Sequence, residues 1–282
     1  MKQEKTFFAS MTLLVLLAFL QAFFNSIMQN ELINLMQTVI LTIFVLYHGV
    51  YRYGWGRLLV MFVIVFATGW IFESLSIATG FPFGNYEYSD LLGVKLGTVP
   101  FAIMPAYFAM GFISWTIASI LHSKTDNTIK GSELITMPLV ASFVMSSWDV
   151  TGDPQWSSIV GRWTWFDGGE YFGVPFTNYL GWFFVVFIFY FVFALMDRYK
   201  TVPVKFKLLE NRKYWIFAPL IYLHVLVEAL TNYISKPNLE VVSKDGHTWW
   251  TGDIYGSLLL VGMWTMLPIA LYAILRLKKD FK

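Results

Sequence analysis

Residues 58–73 read Leu-Leu-Val-Met-Phe-Val-Ile-Val-Phe-Ala-Thr-Gly-Trp-Ile-Phe-Glu: fifteen uncharged, mostly apolar residues that end on a carboxylate, Glu73. A helix that crosses the hydrocarbon core of a bilayer needs about 20 such residues. This segment therefore spans only by continuing past its own acid, through Ser74-Leu75-Ser76, to the stop offered by Gly80. The same pattern recurs along the chain at 6–30, 32–51, 96–123, 134–148, 171–198, 214–227 and 254–275, and two of these also meet an acid near their end, Asp149 and Glu228. Read through those acids, the chain is predicted to be all-α: a single-domain, polytopic membrane bundle of about eight transmembrane helices. Its spans are expected near 7–25, 32–50, 58–79, 100–121, 133–149, 176–196, 214–231 and 254–275.

Composition agrees with that reading. Of 282 residues, 57% are hydrophobic and 13% charged, against about 25% charged in an ordinary soluble domain, which excludes a soluble enzyme. The net charge of +2 shows no basic excess for nucleic acid. There is no Cys, which removes disulfides, thiolate catalysis, zinc-thiolate sites and iron-sulfur clusters together. Sixteen of the 20 Lys and Arg fall at the termini and in the connections that eight spans place on the same side; only Lys95, Arg162, Lys236 and Lys244 fall on the other. Lys and Arg accumulate on the cytoplasmic side of membrane proteins, so both termini are expected in the cytoplasm of a cell-membrane protein. The first helix is read as retained, because no small-residue cleavage site follows Phe24.

The inner connections, such as 122–132 and 197–213, read as solvated linkers. The outer ones, 80–100, 149–175 and 232–253, are rich in Gly, Trp, Tyr, Asp and Pro, and loops of that length carry function or a packed cap. A weak repeat links two of them. Glu73 precedes Pro100 by 27 positions and Asp149 precedes Pro175 by 26, each Pro being expected to open the next helix. The alternative is coincidence between similar loops.

An ionised carboxylate at mid-bilayer costs at least about 2.5 kcal/mol on insertion scales, so Glu73 is a functional candidate by default. Desolvation penalises its charged form, and an acid that keeps its proton near neutral pH is what general-acid catalysis needs. The plain alternative is a buried Glu bonded to a neighbouring helix. Asp149 and Asp153 stand four apart in Trp148-Asp149-Val150-Thr151-Gly152-Asp153-Pro154. That is one face if the helix runs on, and paired carboxylates can divide the holding of one proton; Asp-Pro is equally a turn dipeptide. His224 and Glu228 share a face at i,i+4, either as a proton relay or as an interhelical hydrogen-bonding pair. Four His without metal-ligand spacing predict no metal site. The loop 162–175 carries five aromatic rings in fourteen residues, either an interfacial belt or the wall of a site able to stabilise a carbocation.

At these loops the sequence resembles the carotenoid biosynthesis family that includes the membrane carotenoid 1,2-hydratases. The resemblance is carried by Glu73 with Gly80-Phe81-Pro82-Phe83-Gly84-Asn85-Tyr86-Glu87-Tyr88, then by Leu92-Gly93 and Val99-Pro100. It continues through Asp149 with Asp153-Pro154, Trp163-Thr164-Trp165, Gly168-Gly169-Glu170-Tyr171-Phe172-Gly173-Val174-Pro175 and Asn178-Tyr179-Leu180-Gly181-Trp182. The resemblance implies an integral-membrane hydratase without a cofactor, acting on an acyclic carotenoid and water in the lipid bilayer, in the company of other membrane enzymes of the same pathway. Glu73, Asp149 and Asp153 are the candidate catalytic groups. Phe83, Tyr86, Trp148, Trp163, Trp165, Tyr171, Asn178 and Glu228 are the candidates to hold the polyene end. A carotenoid cyclase or isomerase using the same protonation, or a non-catalytic carrier or transporter, fits the same residues.

Overall fold

The computed structural model describes residues 2–28, 31–125, 127–198 and 207–281. Lys200, Lys205 and Lys282, counted above for topology, and the 199–206 part of the 197–213 linker lie outside the described residues. The chain forms α1 (Lys2–Met28), α2 (Glu31–Thr79), α3 (Ile103–Leu121), α4 (Glu133–Pro154), α5 (Phe176–Arg198), α6 (Arg212–Tyr222), α7 (His224–Ser235), α8 (Thr251–Trp264) and α9 (Met266–Asp280). The pairs α6–α7 and α8–α9 each run on as one rod, so the described residues hold seven helices long and apolar enough to cross a membrane. The fold is an all-α membrane bundle.

The second of these rods is folded back on itself. A straight helix of 49 residues would be about 73 Å long, more than twice the roughly 30 Å of a hydrocarbon core. Gly54 breaks it with φ 71° and ψ 168°, a conformation essentially reserved for glycine. Beyond it the side chain of Leu58 lies so close to Gly49 that a Cβ there would sit 2.7 Å away. Nine residues of straight helix would separate the two by about 13 Å. The segments 31–53 and 55–79 are therefore antiparallel partners, and the second packs along α3. At the Gly54 end, Arg52 donates to Asn127 Oδ1 (2.8 Å), Thr116 Oγ1 (3.0 Å) and Ser119 Oγ (2.7 Å). Arg57 pairs with Asp197 of α5 at 2.9 Å.

At the opposite end the loops fold into short ladders. β1 (Tyr86–Tyr88) pairs antiparallel with β4 (Trp163–Trp165), so that Tyr86 faces Trp165 and Tyr88 faces Trp163. The two outer loops that follow the acids are thus one structure. Strand side chains alternate faces: Tyr86 and Tyr88 are buried while Glu87 between them is exposed. β2 (Lys95–Leu96) and β3 (Val99–Pro100), and β5 (Glu240–Val242) and β6 (Thr248–Trp250), form two further hairpins.

One local expectation gives way and one open alternative closes. Pro100 does not open a helix: it ends β3, and α3 begins at Ile103. Asp153-Pro154 is not a turn, because α4 runs through both residues into a π-helical turn, Gln155–Ile159. Pro154 lacks an N–H and cannot make its own backbone bond, and the wider π turn takes over at the next residue.

Gly54→Ala is expected to cost about 1–3 kcal/mol, the strain of placing an L residue in that backbone region, because no neighbour lies close enough to clash. Gly56→Ala, also in open space but at an ordinary φ, is the control. Thermal unfolding in detergent should show a lower Tm for the first and not for the second.

Candidate active site

Glu73 sits more than a turn inside the end of α2 and is 2% exposed. Its carboxylate accepts three tyrosine hydroxyls: Tyr86 and Tyr88 (2.9 Å) at Oε2, and Tyr107 of α3 (2.5 Å) at Oε1. The strand places the first two on one face, and the helix brings the third from the other side. Burial, followed by the facing Glu73, pushes the hydroxyls of Tyr86 and Tyr88 well above the usual range, so both remain neutral donors. Ser76, just beyond the acid on the same helix, accepts the Phe83 N–H at 3.1 Å and donates to the Gly84 carbonyl at 3.1 Å. That bond pair fixes the 80–84 loop over the carboxylate.

Asp149 and Asp153 are successive on one face of α4 and both are buried. The side-chain amide of Asn178, near the start of α5, donates to Asp153 Oδ2 at 2.6 Å and reaches Asp149 Oδ2 at 3.4 Å. Trp163 Nε1 of β4 donates to Asp153 Oδ1 at 3.0 Å. The ladder that carries Tyr88 to Glu73 therefore carries Trp163 to Asp153. All three acids line one cavity of about 420 Å³, within the roughly 300–1,000 Å³ usual for small-molecule sites.

Its walls are aromatic. Tyr107 stacks on Trp182 with centroids 4.6 Å apart, Tyr86 leans on Trp165 at 4.8 Å and Trp148 on Trp156 at 5.0 Å. Phe83, Tyr86, Trp148, Trp163, Trp165, Asn178 and Glu228, all named from the sequence, line the same space. Tyr171 does not: its ring packs against Phe172 of the outer loop and Tyr179 of α5. His224 Nδ1 meets the Ile221 carbonyl at 2.8 Å, and Glu228 Oε1 accepts from Asn25 (2.9 Å) and Gln155 (2.7 Å). Glu228 thus ties α1, the π turn after α4 and α7 together at one wall. Among the described residues no group of three or more His, Asp or Glu is placed to hold a metal ion.

Tyr88, Tyr107, Trp156 and Trp182 are not among the candidates drawn from the sequence, although Tyr88 and Trp182 fall in the stretches that carry the resemblance. Tyr88 had a readable signal, its i+2 spacing from Tyr86 within a strand. Tyr107 had only a hydroxyl inside an apolar span.

The carotenoid biosynthesis protein family profile matches residues 30–241. A bisanhydrobacterioruberin hydratase of Haloarcula japonica is 29% identical over 114 residues, which cover 39% of this chain and 36% of that protein. The match thus spans about a third of the relative. No solved structure matches the chain.

Tyr107→Phe should destabilise the protein by about 1–3 kcal/mol, the cost of leaving the buried Oε1 without its described donor, and Tyr88→Phe by less, because Tyr86 still donates to Oε2. Because both hydroxyls serve one carboxylate, the double variant should depart from additivity in thermal unfolding.

Proposed function

We propose that this chain, which belongs to the carotenoid biosynthesis protein family, is a hydratase that adds water to the terminal C=C of an acyclic carotenoid. The observation that carries this reading is Glu73, a carboxyl group buried in an apolar span, held by three phenols and facing an aromatic cavity it shares with a bridged aspartate pair. Glu73 gives its proton to the less substituted alkene carbon and leaves a tertiary cation. The faces of the surrounding rings stabilise that cation. Water captures it, and Asp149 or Asp153 accepts the proton that water loses. The C=C π bond and one O–H bond of water break, one C–H and one C–O bond form, and the proton left on the aspartate returns to Glu73 through water, so the balance calls for no redox cofactor. The three hydroxyls on Glu73 bind its ionised form more strongly than its protonated form, so their contribution grows as the proton departs.

The substrate is apolar and reaches the site from the lipid. The chain is read as crossing the cell membrane eight times, α2 counting twice, with both termini inside. The absence of Cys makes this directly testable with single cysteines at two exposed positions, Lys5 and Lys244. An impermeant maleimide should label Lys244→Cys in intact cells and Lys5→Cys only after permeabilisation.

Expression in cells that accumulate an acyclic carotenoid should yield a pigment heavier by one water per reacted end. Glu73→Gln and Asp149→Asn should each lower product by about 10²–10⁴-fold, the usual share of acid–base catalysis, with the protein still in the membrane. Full activity in both variants would overturn the assignment. A changed pigment of unchanged mass would mean that an internal alkene, not water, captures the cation.

A further inference from the structure

We infer that the groove between the first half of α2 and the segment 92–105 is the lateral binding site for the hydrocarbon tail of the substrate. This rests on the hydratase reading only in naming the ligand a polyene. A second cavity of about 480 Å³ lies beside the acid cavity. The two share Leu35, Thr38, Leu92, Gly93 and Ala102, so only these residues stand between them, and on this inference they form the neck of the path. From that neck the groove runs along Leu35, Val39 and Ile43, one face of α2 about 12 Å long, and is closed opposite by Val94, Phe101 and Pro105.

The residues at its mouth are apolar and open: Val94 is 84% exposed, Phe101 58% and Val39 49%. The chemistry changes along the path. The groove holds only Thr38 and Thr42 as polar side chains, whereas the cavity beyond the neck holds Glu73, Asp149 and Asp153. A ligand that fits both must be a long hydrocarbon with a reactive end, its tail left in contact with lipid and its terminus among the carboxylates. A lipid acyl chain would fill the groove alone, since nothing on it calls for the acids.

Two measurements test this. Ala102 stands at the neck with an ordinary helical backbone, so Ala102→Trp should block passage and reduce product at least tenfold, while Ala102→Ser keeps it. Independently of any reaction, a fluorophore on Val39→Cys should be quenched saturably when a polyene is added to purified protein in nanodiscs, and one on Leu271→Cys, exposed on α9 outside both cavities, should not. Equal quenching at the two positions, or full product from Ala102→Trp present at wild-type level and Tm, would overturn the groove. Saturable quenching at Val39→Cys alone, without hydration by the wild-type protein, would leave the groove standing and remove the hydratase reading.

Discussion

The Glu73 carboxyl group, buried among apolar helices and bonded by the hydroxyls of Tyr86, Tyr88 and Tyr107, is the constraint on which the rest of the outer half of the molecule depends. A carboxylate without partners in a hydrocarbon environment is strongly unfavourable. It is tolerated here because a strand and a neighbouring helix converge on it. The strand holds its position through its ladder with β4, and the same ladder delivers Trp163 to Asp153. Satisfying one buried acid and orienting a second are thus one structural event.

The close approach of the loops to the helices depends on small residues as much as on the aromatic ones. At Gly181 on α5, a Cβ would stand 2.7 Å from the Pro82 carbonyl oxygen and 2.8 Å from the Phe83 ring. No other residue lets the 80–84 loop sit so deep, and Thr177, one turn earlier, donates to the Phe83 carbonyl at 3.1 Å. The far end of the bundle is fixed by different chemistry. There Arg52 is bonded to three side chains and lies over the rings of Tyr53 and Trp215. That end is locked, and the aromatic cavity that holds the three acids lies at the other.

Much of this was legible in the order of residues. Hydropathy located the helices, because a segment such as 58–72 has no soluble use, and acids inside such segments stood out against it. The aromatic loops announced a wall of rings. What was not legible was pairing between distant residues. Nothing local joins Tyr88 to Trp163, 75 positions on, and Tyr107 looks like any amphipathic ring in an apolar helix until Glu73 is placed beside it. Local signals also misled where two uses share one chemistry. Pro is as much at home at a strand end as at a helix start, so Pro100 misleads, and Asp153-Pro154 leaves helix and turn equally open because the π turn that follows it has no sequence mark. Tyr171 was named for its neighbourhood in the chain, while its ring belongs to the packing of the loop.

Protonation followed by water capture leaves an isotopic record in the product, which makes it the most direct point of measurement. The purified protein should be given an acyclic carotenoid in heavy-oxygen water and, separately, in deuterium oxide, and the pigment analysed by mass spectrometry. Hydration at this site predicts that each new hydroxyl carries solvent oxygen and that one non-exchangeable deuterium is bound to the adjacent carbon. An unlabelled hydroxyl, or a labelled one without that carbon-bound deuterium, would contradict a mechanism in which Glu73 protonates the alkene and water completes the addition.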